Sequence, residues 1–423
     1  MTLLSTNLLP RAAYVHLPFC RRRCFYCDFP IQVVGAKPGA ADAAAETYCA
    51  LLRREIAATP STDSAPLRSL YFGGGTPSLT PPALLAGVIE AVRERYGLAP
   101  SAEVTLEMDP GTFDKARLHA YLDAGVTRVS VGVQSFDGAL LEKAGRSHTL
   151  PEAEEAIDML LSAHAQQNSP LRSVSLDLIG GLPHQTRATW QATLQTAAGL
   201  GVHHVSVYDL QVEQRTAFGK WYEPGVHPLP EEAEAANMYR DASRILGGSG
   251  FEHYEVSNYA RGSQHKSAHN LAYWRNEAFL GFGLGATSHL ASVRLARPRK
   301  MAEYASFVDE LEDKGFESAQ KTHGLLEEGR DAMTTRLMLA LRTREGVAQN
   351  ELAKAFGPEL AAAAAAACRD AAEELPSEWI AKRPTEGDHD GLFALTDPDG
   401  LLFSNEAIST VFARLDERLD ARV

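Results

Sequence analysis

Ala13-Tyr14-Val15-His16-Leu17-Pro18-Phe19-Cys20-Arg21-Arg22-Arg23-Cys24-Phe25-Tyr26-Cys27-Asp28-Phe29 is the stretch on which the fold turns. A β-rich run, Ala13–Leu17, leads straight into a loop carrying three cysteines at C-x3-C-x2-C spacing. Structural zinc normally takes four ligands, commonly in separated pairs. An iron–sulfur cubane ligated wholly by protein needs four cysteines. Three thiolates instead leave one iron open, free to take an amine and a carboxylate from a small molecule. The alternatives are a zinc site completed by His16, or three incidental thiols. Only Cys49 and Cys368 stand outside the loop, and both sit in helical sequence, where free cysteine is usually a buried thiol. An odd count with three cysteines clustered does not describe a secreted disulfide framework; it describes a metal site in a reducing compartment.

Outward from this loop, strands alternate with helices. β-rich runs are predicted at Ala13–Leu17, Leu67–Phe72, Glu103–Leu106, Arg128–Val133, Ser173–Ile179 and His204–Leu210. Helical patterns between them cover Ala40–Thr59, Pro82–Arg95, Lys115–Ala124, Pro151–His164 and Thr189–Gly199. Such βαβ units build a parallel sheet with function at the strands' carboxyl ends. Six units fall short of the eight of a closed barrel, so the expected fold class is α/β, a partial (βα)6 barrel. A short tail over 1–12, the barrel over 13–210, an extension over 211–322 and a small C-terminal winged-helix-like domain over 323–423 complete the expected organisation. The extension looks irregular, with aromatic, His, Asn and Gly clusters. The last domain is expected to hold helices at Leu325–Leu341, Ala348–Phe356 and Glu359–Leu375, a hairpin of Leu392–Leu395 with Leu401–Phe403, and a final helix from Asn405.

Gly73-Gly74-Gly75-Thr76-Pro77 follows the second strand. Glycines there let backbone groups approach a ligand closely, although glycine turns after strands are common. Single polar residues end later strands: Glu107, Gln134 and Asp177. Each alone would close a sheet network; their recurrence around one rim suits a shared polar ligand. Arg146 could meet a carboxylate with both arms of its guanidinium.

The chain has 423 residues, 45% of them apolar, and a formal net charge of −13. That charge argues against nucleic acid or an anionic membrane as a general partner. No apolar run reaches the length of a membrane span, and Met1 to Pro10 does not look like a signal or transit peptide. A cytoplasmic protein is expected, with an organelle as the alternative if a transit peptide precedes this sequence.

With the glycine loop behind C-x3-C-x2-C and Tyr26 before the last cysteine, the chain resembles the radical S-adenosylmethionine (SAM) superfamily. The resemblance implies a 4Fe–4S cluster on Cys20, Cys24 and Cys27, whose open iron binds SAM; electron transfer into the sulfonium then releases a 5′-deoxyadenosyl radical. From Tyr14 to Leu415 it is similar to the oxygen-independent coproporphyrinogen III oxidase group, which includes the radical SAM haem chaperones of the HemW family. On that resemblance Tyr14, Gly74 and Glu107 match positions that contact cluster-bound SAM. Tyr26, Gly75, Thr76, Gln134, Arg146 and Asp177 match positions lining a second SAM or substrate place, and Gln211 a further contact.

Two features favour the chaperone branch. Phe29 stands where the oxidase has a fourth cysteine, and the oxidase's long segment before the cluster is not present in this sequence. His269-Asn270-Leu271-Ala272-Tyr273-Trp274 resembles the chaperones' H-N-x-x-Y-W motif, linked there to haem. A histidine can ligate haem iron or hold a vinyl group, and Tyr273 and Trp274 offer flat faces to a porphyrin. The plainer account is that His269 and Asn270 hydrogen-bond a loop and Trp274 is ordinary core. His148, His253 and His265 are lesser candidates. The resemblance thus implies SAM, the cluster and haem as cofactors, with an electron donor and a recipient apo-haemoprotein as partners; contact with a membrane haemoprotein would be peripheral. No catalytic residue is assigned, and whether the protein is an enzyme stays open, because Phe29 counts against coproporphyrinogen oxidation. Oxidative decarboxylation of porphyrinogen propionates is the alternative function.

Overall fold

Six parallel strands form the centre of one sheet: β1 (Ala12–Leu17), β2 (Leu67–Gly74), β3 (Leu98–Met108), β4 (Arg128–Gln134), β5 (Ser173–Gly180) and β6 (His204–Asp209). They neighbour one another in chain order. The computed structural model describes residues 9–37, 39–61, 65–385 and 388–420; most of the expected tail over 1–12 lies outside them. Helices α1 (Asp42–Ala58), α2 (Pro82–Tyr96), α3 (Lys115–Asp123), the short α4 (Gly138–Lys143), α5 (Leu150–His164) and α6 (Arg187–Gly199) fill the crossovers. This is the partial (βα)6 barrel. Local chemistry starts its helices: the Asp114 side chain accepts from Arg117 N at 2.8 Å, and Thr149 and Glu152 form a capping box.

Strand alternation sorts the side chains. Val15, Leu17, Leu70, Phe72, Leu106, Val129, Val131, Leu176 and Val205 are all buried in the main apolar core. The intervening residues (Tyr14 and His16, Tyr71, Glu107, Ser130, Ser175 and Asp177, His204 and Ser206) take the other face, which lines the lumen. The sheet is thus apolar toward its helices and polar inside.

The segment expected to be irregular instead widens this sheet to 12 strands. Beyond β6 lie β7 (Glu252–Glu255) and β8 (Asn258–Ala260). Beyond β1 lie β9 (Phe279–Phe282), parallel to it, then antiparallel β10 (Thr287–Leu290), β11 (Val293–Ala296) and β12 (Gly324–Leu326). Three- and four-residue strands carry too little alternation to be read from sequence. Between them run α7 (Ala217–Trp221), α8 (Glu232–Gly248), α9 (Ala268–Trp274), α10 (Met301–Lys314) and α11 (Phe316–His323).

A second apolar core gathers α12 (Gly329–Leu341), α13 (Gln349–Phe356), α14 (Pro358–Glu374), α15 (Asp399–Leu402) and α16 (Ser404–Asp420) around Leu337, Leu352, Ala364, Phe393 and Val411. A three-stranded sheet of β13 (Val347–Ala348), β14 (Ile380–Thr385) and β15 (Asp388–Leu395) completes it, with β15 in the middle. The expected hairpin is therefore corrected: Leu392–Leu395 pairs with the preceding strand, while Leu401 lies in helix α15. The helix expected from Leu325 begins at Gly329, because Leu325 and Leu326 belong to edge strand β12. Polar ties join this unit to the barrel, His253 Nδ1 meeting Asp397 Oδ1 at 2.7 Å and Ser243 donating to the same oxygen at 2.8 Å.

Between α1 and the outer strands lies a fully buried ion pair. Glu55 accepts from Arg297 Nε at 2.7 Å, Tyr304 OH at 2.6 Å and Gly283 N at 2.9 Å. Arg297 also donates to Ser288 Oγ and Leu295 O. Breaking one half of such a pair leaves a buried charge uncompensated, at about 3–5 kcal/mol. Arg297→Met is expected to lose about that much in urea denaturation, and adding Glu55→Gln to recover part of it. Unchanged stability in the single variant would show that the pair does not tie α1 to the sheet.

Candidate functional site

The cysteine loop leaves β1 at the barrel's carboxyl end and is pinned there by backbone. Gly75 N donates to Leu17 O at 2.9 Å and Thr76 N to Phe19 O at 2.7 Å. Phe19 pairs with Gln32 and Cys20 with Val33, and Phe25 N donates to Ala144 O at 3.1 Å. Two glycines make this closeness feasible. Gly74 has φ +118°, and a Cβ there would run into the His16 ring. A Cβ on Gly75 would come within 2.7 Å of the Pro18 carbonyl carbon.

Two donors face the sulfurs. Thr76 Oγ1 lies 3.6 Å from Cys20 Sγ, and an Arg146 nitrogen lies 3.3 Å from Cys24 Sγ. Arg146 also donates to Tyr26 OH at 3.2 Å and Gly132 O at 2.9 Å, and forms an ion pair with Asp109. Burial pushes the Cys20 thiol up to about 12, and raises Cys27 as well. As bare thiols they keep their protons at neutral pH, so thiolates here need a cationic group to hold them. Burial also pushes Asp109 up, but Arg146, His148 and Ser147 outweigh it and hold the carboxyl below its usual range. Nearby, Arg146 Nε and His148 Nε2 are buried with no hydrogen-bond partner among the described residues, while His148 Nδ1 stands 3.6 Å from Asp109. Sulfurs flanked by donors, beside buried polar atoms left unsatisfied, fit an anionic iron–sulfur cluster with a polar ligand beside it.

A zinc site completed by His16 fits less well. Tyr14 OH and the Pro30 carbonyl engage its two ring nitrogens at 3.1 and 2.9 Å, and burial lowers its pKa to about 4. Among the described residues no three His, Cys, Asp or Glu side chains gather tightly enough for a single metal ion. A cubane makes no such demand, since each thiolate reaches a different iron.

Below the loop the lumen holds a second polar group. Glu107 accepts from Tyr71 OH at 2.8 Å and Gly74 N at 3.0 Å. Burial, then the neighbouring Asp177, push its carboxyl up to about 7. Asp177, raised by burial too, accepts from Ser130 Oγ at 2.9 Å. Gln134 ends β4 buried with φ +68°, a conformation rare for a side-chain-bearing residue, at a break in the ladder register. Tyr208 is 44% exposed although it stands on the lumen face, so the lumen opens at this end.

Tyr14, Gly74, Glu107 and Asp177 therefore share one polar space, and Tyr26, Thr76 and Arg146 meet the cysteines. Gln211 lies exposed on the loop after β6. His269 is buried inside the barrel's opposite end. Its ring stacks on Tyr71 with 5.0 Å between centroids, while Ser69 Oγ and Tyr273 OH take its two nitrogens at 3.1 and 2.9 Å. Burial lowers its pKa to about 3. The backbone N–H of Asn270 is taken by Ser267 Oγ, and Trp274 turns away, its indole among the groups that offset burial of Glu255. His148 adjoins Asp109, His253 binds Asp397, and His265 lies near His203, away from the cysteines. Sequence reasoning missed Tyr71, Asp109, Ser130 and Tyr208; the period-two polar stripe facing the lumen would have marked them.

This fold and site define a radical SAM protein, and the chain's residues 14–197 match the model of the Radical SAM superfamily. That superfamily's cofactors are a 4Fe–4S cluster and SAM. Within it the chain belongs to the Heme chaperone HemW family. It is 39% identical to "Heme chaperone HemW" of Synechocystis sp. over 98% of this chain and 99% of that protein. It is 31% identical to "Heme chaperone HemW" of Bacillus subtilis over 86% of this chain and 92% of that one. Its fold is that of the Escherichia coli coproporphyrinogen III oxidase HemN structure, with TM-score 0.75, 19% identity, and 96% and 90% of the two chains covered. No helix among the described residues is long and apolar enough to cross a membrane.

Gly75→Val should push Pro18 away and displace the cysteine loop while the barrel folds. Circular dichroism is expected to match the parent, with iron content and the brown cluster absorption lost after anaerobic reconstitution. Full iron loading in Gly75→Val would refute the close approach as the loop's constraint.

Proposed function

We propose that this chain is a haem chaperone that binds haem and hands it to an apo-haemoprotein in the cytoplasm, with an electron donor serving a cluster on Cys20, Cys24 and Cys27. The supporting observation is its near-full-length kinship with proteins named heme chaperone. Phe29, 63% exposed at the fourth-cysteine position of the oxidase pattern, weighs against porphyrinogen oxidation. When bound, the cluster and SAM supply one-electron chemistry.

The chain's own residues prepare that place. Thr76 and Arg146 donate toward Cys20 and Cys24, spreading negative charge off sulfur. Asp109 fixes the Arg146 guanidinium, which in turn holds Tyr26. Phe25, packed against Trp221 at 4.9 Å between centroids, shields the loop from water. Glu107, beside the free faces of the glycine turn, accepts a ligand ammonium or hydroxyl. Asp177 and Gln134 extend the same polar wall, and Gln211 stands at its outer edge. The C-terminal unit, read as winged-helix-like, serves packing or partner docking.

Haem titrated into anaerobically reconstituted protein should give a saturable Soret band. The same protein with SAM and reductant should leave coproporphyrinogen III unchanged. Formation of protoporphyrinogen without haem binding would establish the oxidase and end the chaperone reading.

Glu107 adds a pH dependence whose sign is fixed. With its carboxyl at about 7, it offers a negative charge to the SAM ammonium only when deprotonated. SAM affinity should be full above about pH 8 and fall below neutrality, approaching about tenfold per pH unit. Glu107→Gln should flatten that dependence; equal slopes in parent and variant would remove Glu107 from the SAM contact.

A further inference from the structure

A cleft of about 380 Å³ lies across the amino ends of the central strands, outside helix α9 and at the end of the barrel opposite the cysteines. That volume falls within the range of small-molecule sites, and the lining says which kind. In a chain of net charge −13, six cationic side chains and two carboxylates face the space. Arg68 pairs with Glu277, Lys266 with Glu252 and Arg275 with Glu345. Arg11, Arg128 and Arg172 donate instead to neutral oxygens, those of Pro66, of Ser173 and His265, and of Ser101. With Glu103 included, four carboxylates stand against six cations, which leaves an excess of two positive charges. Arg128 is 4% exposed, and a buried guanidinium without a counter-charge is costly unless an anion completes it. Two hydroxyls in the lining point to the same ligand. Ser173 Oγ, also buried, accepts from Arg128, and Thr127 Oγ1 accepts from Val104 N at 2.9 Å. A hydroxyl has one proton to give, and among the described residues neither of these protons has an acceptor. Guanidiniums without carboxylates and hydroxyl protons without acceptors lack the same thing, an oxygen-rich anion. Apolar surface in the lining is limited to Ala268, Leu271 and Ala272, which suits a small polar ligand.

We propose that this cleft binds a small multivalent oxyanion, a phosphate ester or a polycarboxylate, on Arg11, Arg128 and Arg172. Guanidinium forks match phosphate and carboxylate oxygens in shape and charge, and Ser173 and Thr127 donate to the oxygens that the arginines leave. The two uncompensated charges call for a ligand that is at least a dianion. Arg11 precedes β1, Arg128 opens β4 and Arg172 precedes β5, so a single anion joins the feet of three strands. It thereby stabilises the folded barrel from the end that carries no cysteine. The site is independent of the haem-chaperone reading, and α9 separates it from Glu107 in the lumen.

The full chain, reconstituted anaerobically, would be titrated by calorimetry with glycerol 3-phosphate and with tricarballylate, one probe for each ligand class, against sodium chloride of equal ionic strength. Saturable one-site binding of at least one probe is expected, with a Kd below about 1 mM, and the tighter probe names the class. Arg11→Gln/Arg172→Gln, on the rim of the cleft, should weaken that binding about tenfold or more, from the worth of charge-assisted hydrogen bonds. Circular dichroism and cluster absorption of this variant should match the parent. Arg128→Gln should abolish binding; if it does not fold, the rim variant decides alone. Failure of both probes to saturate above the chloride control, or unchanged affinity in the rim variant, would overturn the site.

Discussion

Strand alternation around an enclosed polar lumen is the constraint on which the rest of this structure depends. Each central strand gives one face to the helices, where Val15, Phe72, Leu106, Val131 and Leu176 form the core, and the other to the barrel's interior. Polar groups taken from water must find partners, so such an interior has to be closed by hydrogen bonds, water or ligand. Glu107 and Asp177 show what is at stake. Asp177 raises the cost of ionising Glu107, and Tyr71, Gly74 and Ser130 donate to the two carboxylates.

The lumen is closed in a different way at each end. At the carboxyl end the glycine turn and the cysteine loop share backbone bonds, and Arg146 links the sulfurs to Asp109. At the foot, α9 enters as a plug. His269 contributes a buried, neutral ring, stacked on the tyrosine that holds Glu107 and bonded to Ser69 and Tyr273. From the glycine turn to α9 there is thus an unbroken path of Gly74, Glu107, Tyr71 and His269. Glu107 and the plug thus share one tyrosine, and both ends of the barrel are parts of a single packed column.

Much of this was legible in the sequence, for physical reasons that also explain what was not. The central strands and their helices stood out because each is long enough to show its period, and the cysteine spacing names its own chemistry. The outer strands β7 to β12 did not, since three or four residues such as Asn258–Ala260 cannot display alternation. The C-terminal hairpin was placed one element too late because the Thr396–Gly400 turn signal was stronger than the charged, proline-containing strand Ile380–Thr385 that pairs with Leu392–Leu395. Among the candidate residues, those on the strand ends line the lumen, and Tyr26, Thr76 and Arg146 lie against the cysteine loop. His269 stood out as a haem-binding candidate, but its surroundings depend on α9 crossing under strands 165 to 200 residues earlier in the chain, which no local pattern records.

That crossing also decides how the two ends of the lumen differ. At the amino end α9 itself meets the polar groups of the strands: Glu103 takes the N–H groups of Ala268 and His269, and Ser69 takes the imidazole. At the carboxyl end Thr76 and Arg146 face sulfurs, and Arg146 Nε is buried with no hydrogen-bond partner among the described residues. Buried polar atoms are satisfied by protein, water or ligand, so the protein closes its own lumen at the foot and leaves room for a polar ligand at the mouth. A seven-residue helix seated across the foot of the barrel therefore sets which end is free to hold one.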